Sequence, residues 1–395
     1  MNCIKKMNMW IKDANRIVSI IIPGRRRFRF GNITLRFIGI LTLFSLGCSS
    51  IGPMAMKGER INYNVALQQT NDEQLLLNLV RLKYRDNPIF IEVSVINSKL
   101  SFQTSAEIGA QLKEIKYDVF TLGGGVAYMT EPVITYTPLQ GEDFVQRLLM
   151  PISLDTFMHL YQSGWGLKRL MRLCVQRING VENAPRGGVP TQRKPPEYKN
   201  FARVLELMRE LEQRRDIGFI YEVFPQDKQQ PRVVMQVANE AWAHPEMEEL
   251  AEILHLVRGK RHYPLSYPSV EHEENQEYDH LVVETRSVMG ILFLLSQLVE
   301  VPTQHIQDGK VIITRDDTGQ PFDWNLIVGK LFYIKSHAAK PAQSSVAVHY
   351  RGSWFFIDDS DTETKSTFSL LSQLLALQSG KTDRLLPLLT LPIGK

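Results

Sequence analysis

The sequence predicts an α+β protein of mixed helices and mainly antiparallel strands, arranged as two domains behind a tether. Three observations predict it. Apolar spacings of three and four residues take turns along the chain with runs in which every second residue is apolar, so helices and strands are both required. The stretch 182–200 collects Pro185, Gly187, Gly188, Pro190, Pro195 and Pro196 between regular patterns, which is linker composition. The chain has 395 residues, 44% hydrophobic and 22% charged, enough for two cores at roughly 150 residues per domain.

The elements follow in order. Residues 48–63 are expected to form a tether, since Gly52, Pro53 and Gly58 interrupt any regular pattern. An N-terminal domain then covers 64–181. Thr70 and Glu73 have the capping-box spacing, and Leu75, Leu76, Leu79 and Leu82 continue at helical spacing to a stop before Pro88. Ile89, Ile91, Val93 and Val95 alternate as a strand does, with further strands at 100–102, 117–120 and 133–137. Short helices follow at 142–150, 154–161 and 167–178, broken by Pro151 and Gly164-Trp165-Gly166. After the linker, a C-terminal domain over 201–380 opens with a helix (201–215), two strands (218–224, 232–237) and a helix near 244–256. Residues 288–295 are nearly all apolar and suit a helix buried on every side. Strands are expected at 311–314, 331–335, 346–350 and 353–357, the last two joined by an Arg351-Gly352 turn, and a helix over 368–377 closes at Gly380, leaving a tail of 381–395.

Charge separates the leader from the rest. Residues 1–47 hold nine of the 46 Lys and Arg and one of the 42 acids, leaving 37 bases and 41 acids beyond them. The formal charge of +4 therefore belongs to the leader, and a nucleic-acid partner loses its support. Within it, Arg25-Arg26-Arg27-Phe28-Arg29 and Arg36 precede an apolar run over 37–46. That run is half the ~20 residues a spanning helix needs, and suits a signal peptide. A second apolar patch, 17–22, lies upstream of the basic cluster, which an overlong start would explain.

The run ends in Leu46-Gly47-Cys48-Ser49. A basic region, a short apolar stretch and a small residue before cysteine resemble a bacterial lipoprotein precursor, although Ser45 and Leu46 stand in the reverse of the usual order. The resemblance covers 25–50 and implies that 1–47 is a signal peptide cut between Gly47 and Cys48. Cys48 would then carry diacylglyceryl and acyl groups such as palmitate. With Ser49 next, it implies the periplasmic face of the outer membrane in a Gram-negative cell. The mature part resembles envelope proteins without an assigned activity. With Cys3 removed and Cys48 acylated, Cys174 remains alone, and its apolar neighbours suit a buried, inert thiol.

Two polar clusters invite chemistry. His262, His272, Glu273, Glu274, Asp279 and His280 could ligate zinc, but they lack a His-Glu-x-x-His spacing and read as a solvated loop. Asp358, Asp359, Asp361 and Glu363 could surround calcium, but the glycine and the final glutamate of that loop are replaced by Thr364 and Leu370. A helix start capped by Asp361 or Thr362 fits better. Gly123-Gly124-Gly125 lacks a following Lys-Ser/Thr and reads as a turn. Trp354-Phe355-Phe356 and Tyr350 could meet a sugar or partner, with half of them facing the core. No nucleophile-base pattern occurs, so no catalytic residue, metal or cofactor is expected. The expected role is binding or assembly at the envelope, with the membrane and an envelope protein or polysaccharide as partners. The alternative is a cell-wall or polysaccharide hydrolase using carboxylates of 262–280 or 358–363.

Overall fold

The computed structural model describes residues 51–104, 120–122, 126–138, 142–184, 195–223, 231–268 and 277–379. The signal peptide, Gly47, Cys48, the Gly123-Gly124-Gly125 turn, His272, Glu273, Glu274, Gly380 and the 381–395 tail lie outside them. The chain divides into two compact units, Met1–Ala66 and Leu67–Lys395. Described residues of the first, 51–66, are helical.

That helix, α1, runs Ile51–Lys83. The expected tether is thus helical from Ile51, because Pro53 falls in the first turn, where its missing N–H costs nothing. Thr70 lies in mid-helix, its hydroxyl donating to the Leu67 carbonyl, so the capping box is unused. Leu75, Leu76, Leu79 and Leu82 are all buried as their spacing requires. Two further α1 side chains, one turn apart, act as a rung of sheet. Asn78 exchanges two hydrogen bonds with the backbone of Ile89, at 2.7 and 3.0 Å, and Gln74 does the same with Ile91, at 3.0 and 2.7 Å. They lead the chain into β1 (Ile91–Thr104), which pairs antiparallel with β3 (Val126–Pro138); β2 (Phe120–Leu122) lies on the other side of β3.

Helices α2 (Glu142–Leu149), α3 (Leu154–Gln162) and α4 (Leu167–Cys174) match expectation at their starts, with Ser153 capping α3 through the Thr156 N–H at 3.0 Å. The helix expected to reach residue 178 instead ends at Cys174 and passes without a loop into β4 (Val175–Ile178), followed by β5 (Val181–Glu182). Beyond 195 come α5 (Lys199–Arg214), β6 (Ile217–Val223), β7 (Pro231–Val237), a 3₁₀ turn (Asn239–Ala243) and α6 (Pro245–Ile253). Then follow β8 (His262–Ser266), β9 (Leu281–Thr285) and α7 (Val288–Ser296). In α7, Val288, Ile291, Leu292, Leu294 and Leu295 are fully buried, each contributing about 1.5–3 kcal/mol. The short helices α8 (Thr303–Gln307) and α9 (Asn325–Val328) precede β10 (Lys335–His337), β11 (Ser344–Tyr350), β12 (Ser353–Asp358) and α10 (Thr362–Ser379). Residues 311–314 form no strand, and of 331–335 only Lys335 lies in one. Arg351 and Gly352 turn the β11–β12 hairpin with φ of 48° and 84°, the positive values a two-residue turn of this kind needs.

The main sheet has the order β5-β4-β9-β8-β7-β6, antiparallel except for the parallel β8–β9 pair. This confirms the α+β class and corrects the domain division. Strands from before and after 182–200 lie in one sheet, and the Ala184 N–H donates to the Glu197 carbonyl across that stretch at 2.8 Å. One core runs from Leu75 to Leu374. Its pairings, such as Arg177 opposite Glu284, join residues too distant for local pattern to reveal. Among the described residues no helix is long and apolar enough to cross a membrane.

Two buried arginines close helix ends inside this core. Arg286 donates to the carbonyls of Arg172, Leu173 and Val175 at 3.2, 3.2 and 2.7 Å, and also to those of Asn183 and Ala184. These carbonyls include the end of α4, where a cation also answers the helix dipole. Asn183 adds amide donation to the Arg172 and Val175 carbonyls. Arg172 in turn donates to the Ile327 and Leu326 carbonyls at the end of α9. A Cβ at Gly329 would stand 2.8 Å from the Arg172 guanidinium carbon, and its φ is +73°, so only glycine fits there.

Candidate functional site

Strand β8 builds the candidate site by alternation. Tyr263 and Leu265 are buried in the core, while His262, Pro264 and Ser266 occupy the other face, half-buried. They line a cleft of ≈ 650 Å³ together with Arg232, Lys260, Arg261, Asp279 and His280. Arg232 arrives because β7 pairs with β8, Val234 standing opposite Pro264. Asp279 and His280 arrive because they directly precede β9, which pairs with the far end of β8.

Of the histidine and carboxylate cluster, His262, Asp279 and His280 therefore share one cleft, as neighbours rather than as a convergent ligand set. Asp279 is held by Lys260 at 3.2 Å and by His280 Nδ1 at 2.8 Å, and these partners lower its pKa. His262 Nδ1 faces a different carboxylate, Glu222, at 3.4 Å. Among the described residues no three His, Cys, Asp or Glu side chains are grouped to hold a metal ion. The lining bears Arg232, Lys260 and Arg261 against one carboxylate, so its chemistry is that of holding an anionic group. Sequence reading missed Arg232, Lys260 and Arg261. Only strand pairing brings Arg232 near His262.

The second cluster diverges. Asp358 accepts from the Ser360 N–H and hydroxyl at 3.0 and 2.6 Å and from Lys335 at 2.9 Å, contacts that hold its carboxyl well below the usual range. Asp359 pairs with Lys365 at 2.8 Å and Glu363 with Arg169 at 2.5 Å. Asp361 accepts from the Thr364 N–H at 3.0 Å and its hydroxyl at 2.7 Å, which is N-capping of α10. Asp361→Ala is accordingly expected to cost about 1 kcal/mol in urea unfolding, with a melting temperature indifferent to chelator in both proteins. A chelator-dependent drop that vanishes in Asp359→Ala would identify a metal site instead.

Cys174 is buried at the end of α4, and burial pushes its thiol up to about 12, the state of an inert thiol. In β12, Phe355 is buried in the core and Trp354 on the other face meets His349, with ring centroids 5.3 Å apart. Tyr350 donates to Asp86 at 2.5 Å, and Arg351 pairs with the same carboxylate at 2.8 Å. These contacts tie the hairpin to the end of α1.

Comparison with models of protein families finds no match to the chain. Comparisons with curated proteins and with solved structures find none either.

Proposed function

We propose that the protein is a lipid-anchored component of the bacterial cell envelope that acts by binding or assembly. The observation that carries this reading is Leu46-Gly47-Cys48 directly after a ten-residue apolar run and a basic cluster. A diacylglyceryl group plus a further acyl chain supplies the two or more chains that stable anchoring requires, at ~0.8 kcal/mol per buried methylene. The anchor places the protein on the periplasmic face of the outer membrane in a Gram-negative cell, without a nucleic-acid partner. An envelope protein or an anionic polysaccharide is the partner class, the latter favoured at the cationic β7–β8–β9 cleft. Binding is preferred to hydrolysis because, among the described residues, three carboxylates of the two polar clusters are engaged by separate cations, Asp279 by Lys260, Asp359 by Lys365 and Glu363 by Arg169.

Growth with labelled palmitate tests the reading. Wild type is expected to take up label and to sediment with membranes, whereas Cys48→Ala takes up none. Unlabelled wild-type protein would overturn the anchor.

A further inference from the structure

We infer that the β1-β3-β2 sheet is this chain's share of a membrane-embedded β-barrel closed by further copies of the same chain. The inference rests on the envelope reading above and names both the partner and the surface. Its basis is the register of the longest ladder among the described residues. Ile91 stands opposite Pro138 and Thr104 opposite Val126, with one bulge between Val93 and Val95.

Sorting the residues by alternate register positions gives two unlike sets. One set contains Ile96, Leu100, Phe102, Tyr128, Ile134 and Tyr136. The other contains Glu92, Lys99 and Glu131, which are all the charged residues of the three strands, with Lys99 directly opposite Glu131. A globular sheet with one face on a core would show such alternation too. Three features point to lipid. First, β1 and β3 have 14 and 13 residues, more than the ~9–11 that a tilted strand needs to cross a bilayer. Second, Tyr128 and Tyr136 lie eight residues apart on the apolar set, about 27 Å at strand rise, close to the ~25 Å between the aromatic girdles of membrane barrels. Third, Ile91, at the first position of this ladder, is 38% exposed.

Lipid contact decides the partner as well. Each unpaired N–H or C=O in hydrocarbon costs several kcal/mol, so an open sheet edge cannot remain there. Among the described residues, β1 has no strand on the side away from β3, and on its other side β3 is covered by β2 only from Val126 to Tyr128, so 129–138 has none there. β1 of the next copy, running antiparallel along 129–138, satisfies these edges, and closure leaves none along them. The register positions of the charged set would then belong to the side of a water-filled lumen, with Lys99 and Glu131 at paired positions of opposite charge.

The test uses the full-length, acylated protein purified in detergent and reconstituted into phosphatidylethanolamine and phosphatidylglycerol bilayers. Light scattering is expected to show a multimer, and planar-bilayer recording a stepwise conductance. Leu100→Asp with Ile134→Asp should abolish the conductance, while Asn97→Asp with Val133→Asp, on the opposite positions, should keep it. Because the first variant could fail to fold, fluorophores at Ile134→Cys and Lys99→Cys provide a milder comparison. Nitroxide lipids should quench the label at 134 more than the label at 99. A monomer without conductance, equal loss in both double variants or equal quenching at both sites would overturn the inference. Its failure is separable from failure of the anchor: an acylated, non-conducting monomer rejects the barrel alone, and a conducting multimer without acyl groups rejects the anchor alone.

Discussion

Arg286→Met is expected to lower the unfolding free energy by about 3–5 kcal/mol, the largest effect of any single substitution considered. Arg286 is 5% exposed, and its guanidinium is shared among backbone carbonyls at the end of α4 and at Asn183 and Ala184. Burial lowers its pKa only to about 10, so it stays charged at neutral pH. Methionine replaces its volume but no donor. Several carbonyls would lose their partners together, each at about 1–3 kcal/mol if left without another, and the Asn183 amide can compensate for only part of this. Arg286→Lys should fall between the two, because one ammonium cannot reach both groups of acceptors at once. The urea midpoint measures this. A fall equivalent to less than about 1 kcal/mol would mean that the α4 end is sealed by other means.

Lys83→Met should have the opposite sign. Lys83 is 7% exposed at the end of α1, and its ammonium donates to a single carbonyl, that of Gln297, at 3.3 Å. Desolvation, with Arg85 nearby as a lesser cause, lowers its pKa to about 8. An unfolded lysine titrates at about 10.4. The unfolded chain therefore binds more protons between these values, and stability rises with pH across that window. Below pH 8 both states are protonated and the folded state carries the full cost of a buried charge, at most about 3 kcal/mol. Methionine removes that cost. The variant is expected to be more stable than wild type by about 1–3 kcal/mol at pH 7, with the difference shrinking from pH 8 to pH 10. Taking the difference between the two proteins cancels the buried tyrosines Tyr84 and Tyr263, both raised to about 12, whose own window opens near 10, where that of Lys83 closes. A difference that is zero or independent of pH would show Lys83 to be well solvated.

The two arginine and lysine sites also show what a sequence withholds. Local signals were legible: Leu75, Leu79 and Leu82 marked a buried helix face, residues 288–295 a helix in the core, and Arg351-Gly352 a tight turn. Each depends on neighbours within a few positions. The passage from α4 to β4 at Cys174 was not legible, because Val175 and Ile178 become a strand only by pairing with β9, more than a hundred residues away. The proline-rich 182–200 stretch reads as a boundary for the same reason: its composition speaks against regular local patterns and is silent on the sheet that joins its two sides. Polar sites divide likewise. Asp361 as a helix cap could be read from spacing, whereas the meeting of Arg232 with His262 and His280 depends on the order of β7, β8 and β9. Arg286 gave no signal at all, since its acceptors are backbone atoms.

The anchor is the central claim, and the mass of the mature amino-terminal peptide tests it most directly. Protein purified from membranes and digested with protease should yield a first peptide that begins at Cys48 and carries diacylglyceryl and amide-linked acyl groups, with nothing from 1–47. A first peptide holding an unmodified Cys48, or one that begins elsewhere, would contradict it.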